Sequence, residues 1–287
     1  IFRIRDALER EQFDVLHLHE PMTPTPCIAS LAWYDGPSVA TWHASGELGW
    51  MKIAKHVWGF LADRIDHRIA VSEMAKVSAQ HWLPGDYEII PNGVLIPERA
   101  DPAGREHRIV FAGRHEARKG LHVLLHAWPE IRRRTGASLH VIGADPLRVR
   151  LLITRLRIDD DGIELLGFLD QDAFTGELLA AKALVAPSLG GESFGMVLTR
   201  AFACATPVVA SDISGYRDVM TPETAAAFPP GDEDALADAI EALLADEPRR
   251  QEMGAAARAL AQERYSWDSI AQRLVAIYGE VGARLAA

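Results

Sequence analysis

The sequence has little cysteine and no long apolar run. Only two of its 287 residues are cysteine, Cys27 and Cys204, far apart and in apolar settings. That suits two buried, reduced thiols better than a disulfide framework or a cysteine-bound metal. No apolar stretch approaches the roughly 20 residues that a membrane span needs. No secretory leader pattern is visible, and the cytosol is the expected compartment. Positive charge is also scarce: 30 Lys and Arg stand against 40 Asp and Glu, a formal net charge of −10. Such a balance argues against nucleic acid as a partner. Any membrane contact would be peripheral, on the inner face, through a local basic or apolar patch. The dinucleotide fingerprint G-x-G-x-x-G is missing, since Gly113 and Gly120 do not space that way, so hydride transfer is disfavoured. There is no Walker loop and no Ser-His-Asp order.

What is present is ordinary globular composition, 48% hydrophobic and 24% charged with 22 Gly and 16 Pro. The length suits two domains. Strand and helix patterns alternate, which implies α/β domains with parallel sheets and helices on both faces. Strands are expected at Val15–His19, Val39–His43, His67–Ser72, Arg108–Gly113, Leu139–Gly143, Ile163–Gly167, Ala183–Pro187 and Val208–Ser211. Helices are expected near Leu48–Ile65, Met74–His81, Gly120–Arg134, Arg148–Leu156, Ala173–Lys182, Asp234–Ala245, Pro248–Glu263 and Trp267–Leu285. Ser72 can cap the helix that follows it, and Ser266-Trp267-Asp268 reads as the cap of the last one. Ile89–Gly93 reads as an extended run into an Asn-Gly turn. Leu121, Leu124, Leu125 and Trp128 share one helix face. The polar stretch 95–107 reads as a linker between a first domain, 1–94, and a second, 108–266. The opening Ile1–Glu11 reads as a helix already under way, with Phe2, Ile4 and Leu8 on one face, so the first domain is expected to be incomplete.

Two segments of the second half carry the clearest chemistry. Phe111-Ala-Gly-Arg-His-Glu-Ala-Arg-Lys-Gly120 runs from a strand end into a helix, the corner where open α/β sheets bind ligands. Arg114 and Lys119 there could neutralise a diphosphate; the same charges would also suit a solvated loop. Gly190-Gly191-Glu192-Ser193-Phe194-Gly195 places an acid in a glycine-flanked turn before a helix. Free amides and the helix dipole favour phosphate, and a carboxylate accepts from sugar hydroxyls. Read alone, the turn is equally a capped helix start. In the first half, His17-Leu-His19-Glu20-Pro21 and Thr41-Trp-His43 end strands. His17 and His19 share a strand face, but a zinc site needs three or four ligands and the set is incomplete, so no metal is assigned. His43 is as well explained by a buried ring bonded to backbone.

The match from Ala186-Pro187 through Asp212, together with Phe13–Pro21, Val39–His43, Ile89–Val94 and Phe111–Gly120, resembles the retaining nucleotide-sugar glycosyltransferases of the GT-B architecture, most of all the phosphatidylinositol mannosyltransferases. The resemblance implies two Rossmann-like doubly wound domains facing a cleft, with the first incomplete and 267–287 returning to it as a crossing helix. It implies that Arg114 and Lys119 grip the pyrophosphate, that Glu192 holds donor-sugar hydroxyls, and that the amides of Phe194, Gly195 and Met196 meet phosphates or sugar. Gly190, Gly191 and Ser193 complete the donor loop. His43 faces the reacting carbon, and His19, Glu20 and Pro21 lie toward the acceptor. The implied reaction is hexosyl transfer with retention, mannose favoured, from a nucleotide-diphosphate sugar, GDP-mannose favoured, to a lipid or saccharide acceptor, with no metal or other cofactor. One position departs from the pattern. The eighth residue after Glu192 is Arg200, where the family has a second Glu that accepts both ribose hydroxyls. Arginine only donates; losing such a pair costs about 1.5–3 kcal/mol, or roughly ten- to a hundredfold in nucleotide affinity. Either Arg200 reaches a ribose oxygen or phosphate, or it faces solvent and the ribose is held elsewhere. A non-catalytic nucleotide-binding remnant and, less well matched, a nucleotide-sugar epimerase are the alternatives.

Overall fold

The structure is a computed structural model that describes residues 2–23, 26–44, 59–101 and 104–286. The chain divides into two compact units, Ile1–Asn92 with Trp267–Ala287, and Gly93–Ser266. Most of the helix expected at Leu48–Ile65 lies outside the described residues; 59–62 is helical.

The first unit is built on four parallel strands in chain order, β1 (Leu16–His19), β2 (Ser38–Trp42), β3 (His67–Ala70) and β4 (Glu88–Ile89). All five residues of β2 are buried, as a strand covered on both faces should be. The helix Trp267–Ala286 contributes Ile270, Ile277 and Val281 to a core with Val39, Ile69 and Ile90. A fork from Arg273 fastens it further, Nε and Nη2 donating to Oε1 and Oε2 of Glu88 at 2.6 and 2.8 Å. Ser72 caps the helix Glu73–Trp82, its Oγ accepting from Ala75 N at 3.0 Å. The helix Phe2–Glu11 forms as expected, with Ile4 and Leu8 half-buried and Phe2 79% exposed. One expectation needs correction here. Residues 91–93 make no turn: the chain runs on extended to Val94, which bridges Ser266.

The second unit holds six parallel strands: β5 (Glu106–Ala112), β6 (Ser138–Ile142), β7 (Ile163–Gly167), β8 (Ala181–Ala186), β9 (Val208–Ser211) and β10 (Ala225–Phe228). Their order is β10-β9-β8-β5-β6-β7. This is the doubly wound arrangement, in which the chain starts at the centre, builds one way and then the other. The reversal falls between β5 and β8, and open sheets of this kind bind ligands in the crevice at the carboxyl ends of the strands that flank it. Leu121, Leu124, Leu125 and Trp128 are all at most 3% exposed and pack on Phe111, Leu139 and Val141. Each such side chain contributes about 1.5–3 kcal/mol relative to exposure, so this helix face anchors the unit.

Several boundaries move for local reasons. The helix expected at Ala173–Lys182 is Gln171–Ala180, started by Asp170, whose Oδ1 accepts from Ala173 N. Ala181 and Lys182 already belong to β8. The helix expected from Arg148 begins at Pro146, where Asp145 caps and proline takes the first position. The last helical pattern before Ser266 ends at Leu260 and continues as one wide π turn, Ala261–Tyr265.

Gly120 packs directly against the chain leaving β8. Its φ is +69°, and an added Cβ would lie 1.8 Å from the carbonyl oxygen of Pro187, the first residue after β8. Gly136 has the same φ, +69°, but open space around its Cβ position. Gly136→Ala should therefore cost about 1 kcal/mol of strain, while Gly120→Ala should cost about 3 kcal/mol or more because backbone must also move. Urea unfolding of both variants measures this; equal costs would mean that β5 and β8 do not need their close approach.

Candidate functional site

The crevice between β5 and β8 gathers charge. After β5 the chain turns through a short 3-10 helix, Ala117–Lys119, closed by Gly120 in the left-handed conformation. After β8 it passes Ser188 and the Gly190–Gly195 turn before the helix Met196–Ala203. The two loops are stitched by a backbone bond, Leu189 N to Arg118 O at 2.7 Å. Glu192 then completes the join. Lys119 Nζ lies 2.8 Å from its Oε1 and 3.0 Å from its Oε2. Arg118 Nη1 donates to the same Oε1 at 2.9 Å and to Gly191 O at 3.0 Å. The Glu192 side chain is only 10% exposed, so these partners replace most of its hydration, and losing one would be costly.

Sequence reasoning left Arg118 without a role and missed two further groups. Ser188 Oγ sits 3.3 Å from Glu192 Oε1 and 2.8 Å from the hydroxyl of Tyr216. Both side chains are buried, and burial pushes the Tyr216 hydroxyl well above the usual phenol range, with the Glu192 charge adding to it. Their signal was present in the sequence, since Ser188 lies inside the matched segment and Tyr216 just after it.

Arg114 stands apart from this cluster. Its side chain is 72% exposed and its Nε pairs with Glu116 Oε1 at 3.0 Å; Arg118 Nε meets the other oxygen of Glu116 at 2.8 Å. Three cations (Arg114, Arg118, Lys119) thus face two carboxylates (Glu116, Glu192), leaving one positive charge in excess at the crevice. The neighbouring helix adds to it. Gly195 precedes Met196–Ala203 with φ +81° and offers no side-chain cap, and its missing Cβ makes room for the Tyr216 ring. An uncapped helix start beside excess positive charge is suited to an anion. Phe194 anchors the turn edge-to-face on Tyr265 at 5.7 Å. Ser193 is half-buried within the turn, and Met196 is exposed at its end.

Arg200 does not face solvent. Its guanidinium lies over the Phe174 ring at 4.2 Å, and its Nη2 is buried without a hydrogen-bond partner. Burial lowers its basicity. The side chain is thus turned toward the helix Gln171–Ala180.

In the first unit the expected histidines do come together. His17 is placed by Tyr278 Oη at 2.6 Å and Thr41 Oγ1 at 2.8 Å. Both ring nitrogens of His17 thus lie against hydroxyls, and among the described residues there is no group of three or more His, Cys, Asp or Glu placed to hold a metal. His19 Nδ1 lies 2.8 Å from His43 Nε2, and His43 Nδ1 lies 3.1 Å from Asn92 Oδ1. Glu20, itself at φ +52°, accepts from the amides of His43 and Ala44 at 2.5 and 2.6 Å. Pro21 is buried behind it. Among the described residues, the His43 ring is held by two side chains, His19 and Asn92, and by no backbone oxygen. Burial lowers His17 to about 4, with His19 and His43 adding to the effect; burial, then His43, lowers His19 against the opposing pull of Glu20.

The His17 shift has a consequence for stability. Unfolded, this imidazole takes a proton below its ordinary 6.5; folded, only below about 4. In that window the unfolded chain binds more protons, so stability is full above pH 6.5 and is lost as pH falls toward 4. The ring is only partly buried and solvent screens it, so its share is about 1–2 kcal/mol. His17→Gln should flatten urea-derived stability between pH 6.5 and 4 by that amount; an unchanged slope would show that the ring titrates freely.

Comparison with known proteins adds to this geometry. The family model described as "Glycosyl transferases group 1" matches residues 106–246, and that described as "Glycosyltransferase Family 4" matches residues 1–96. The phosphatidyl-myo-inositol mannosyltransferase of Mycobacterium leprae is 36% identical over 290 residues, covering 97% of this chain and 76% of that protein. A protein of the same name from Propionibacterium freudenreichii is 35% identical, covering 99% and 74%. Among solved structures, a glycosyltransferase from Rickettsia africae superposes with a TM-score of 0.80 at 18% identity over 98% of this chain and 80% of its own. Anabaena HepE in complex with UDP-glucose gives 0.80 at 19% identity, covering 97% and 81%. These neighbours share the GT-B fold.

Proposed function

Because this chain belongs to the group 1, family 4 glycosyltransferases, we propose that it transfers mannose, with retention, from a nucleotide-diphosphate sugar to the inositol headgroup of phosphatidylinositol. The observation that carries the donor side is the Glu192 carboxylate held between Arg118 and Lys119 beside an uncapped helix start. The sugar and the acceptor rest on the names of the most similar relatives. GDP-mannose is the favoured donor. Among the described residues no helix is long and apolar enough to cross a membrane, and contact with a lipid acceptor would be peripheral, at the cytoplasmic face.

Lys119, with Arg118 and Arg114, would neutralise the charge that builds on the diphosphate as the glycosidic bond breaks. Preorganised charge of this kind stabilises a transition state because it need not reorient during reaction. The helix start adds amide donors. Glu192 has acceptor capacity left beyond its present bonds for sugar hydroxyls, and it keeps the two cations in place. The departing phosphate oxygen would take the proton of the attacking hydroxyl, so no strong protein acid is required. Arg200, stacked on Phe174, supplies no acceptor for ribose hydroxyls, and the ribose would be held by other groups.

The test is incubation of the full chain with GDP-mannose and vesicles containing phosphatidylinositol, read by mass spectrometry. A mannosylated lipid with the donor's anomeric configuration is expected. Glu192→Ala should reduce transfer at least about a hundredfold, the loss of several transition-state contacts, while GDP affinity changes far less. Release of free mannose alone, conversion of the donor to an epimer, or GDP binding without turnover would each contradict the reading.

A further inference from the structure

Three imidazoles stand in a row at the carboxyl end of the first unit's sheet. The rings of His17 and His19 are 4.5 Å apart and those of His19 and His43 are 5.1 Å apart, each pair within about 30° of parallel. The hydrogen bonds along this row have a direction that can be worked out from one end. Asn92 Oδ1, 3.1 Å from His43 Nδ1, is an amide oxygen and can only accept. His43 Nδ1 must therefore carry the hydrogen. A neutral imidazole has one such hydrogen, so His43 Nε2 keeps its lone pair. His19 Nδ1, 2.8 Å away, must then be the donor between the two rings. By the same rule, Nε2 of His19 holds a lone pair. His19 is on the exposed side of its strand, so that lone pair is within reach of a ligand.

We propose that Asn92 is a positioning residue which, through His43, makes Nε2 of His19 a hydrogen-bond acceptor for a hydroxyl of the acceptor substrate. The identity of that substrate as a polyol or saccharide rests on the function proposed above; the tautomer chain itself does not. Of the remaining groups around the pair, Glu20 alone pulls His19 toward the charged state, and burial and His43 outweigh it. His17, stacked on His19, is lowered to about 4 and brings no charge of its own at neutral pH. Glu20, the nearby carboxylate, spends Oε1 on two backbone amides. Tyr278 faces His17, and Cys27 Sγ donates to the backbone oxygen of His19 at 3.6 Å. Burial and His43 hold His19 below its ordinary value, so the ring stays neutral around pH 7. Once His19 is protonated in acid, Nε2 becomes a donor and a substrate hydroxyl loses its acceptor.

The experiment is long-range proton–nitrogen NMR of the full chain with labelled histidine at neutral pH. Wild type should show His43 and His19 both protonated at Nδ1, with lone pairs at Nε2. Asn92→Leu, which removes the accepting oxygen at similar size, should release His43 to the opposite tautomer and change His19 with it. Acceptor KM should rise roughly two- to tenfold, the value of one neutral hydrogen bond, with donor KM unchanged. In wild type the same rise should appear as pH is lowered through the titration of His19. A wild-type His43 protonated at Nε2 overturns the proposal, as does an Asn92→Leu protein whose two rings keep the wild-type tautomers. If no phosphatidylinositol is turned over while the tautomers are as stated, it is the acceptor assignment that falls. Normal turnover with the wrong tautomers removes this proposal alone.

Discussion

One carboxylate ties the second unit's two site loops together. Glu192, nearly out of solvent, accepts from Lys119 and Arg118, and those cations come from the loop on the other side of the sheet's reversal point. The doubly wound strand order makes this possible, since β5 and β8 are neighbours in the sheet while their exits part. Everything nearby serves the approach: Gly120 has no side chain to strike Pro187, Leu189 bonds to Arg118, and Ser188 links Glu192 to Tyr216. The excess positive charge and the uncapped helix then follow as properties of the assembled crevice and not of either loop alone.

The first unit reaches a polar site by different means. Its histidines are placed by side chains of four separate segments, Thr41, Glu20, Asn92 and Tyr278. Burial lowers the basicity of His17 and His19, with His19 and His43 adding to the effect on the first and His43 to that on the second. The second unit thus concentrates charge, whereas the first presents two imidazoles of lowered basicity. A phosphate-bearing ligand suits the former, and a hydroxyl-bearing one suits the latter.

Much of the fold was legible in the sequence because parallel strands buried on both faces read as short apolar runs. Val208–Ser211 and Ile163–Gly167 have the expected bounds for that reason. The strand Ala225–Phe228 was not legible, since alanine has weak strand preference and this is a sheet edge. The helix Pro26–Trp33 was hidden by a proline-rich approach. At the site, Glu192 and Lys119 could be read from motif and position. Arg118 could not, because its value lies in a bond to a residue 74 positions away. The same holds for Asn92, which looked like a turn residue and instead uses its side chain on His43. Arg200 was visible as a departure, but its turn toward Phe174 depends on a neighbouring helix.

The most direct test of this account is a double-mutant cycle on Lys119→Ala and Glu192→Ala, read by the free energy of urea unfolding. If the carboxylate joins the two loops, each change alone should be more damaging than its share of the pair, and the coupling should be about 1–3 kcal/mol. Additive effects, with coupling near zero, would show that the two loops are held by the backbone alone and that Glu192 is not the interaction on which the crevice depends.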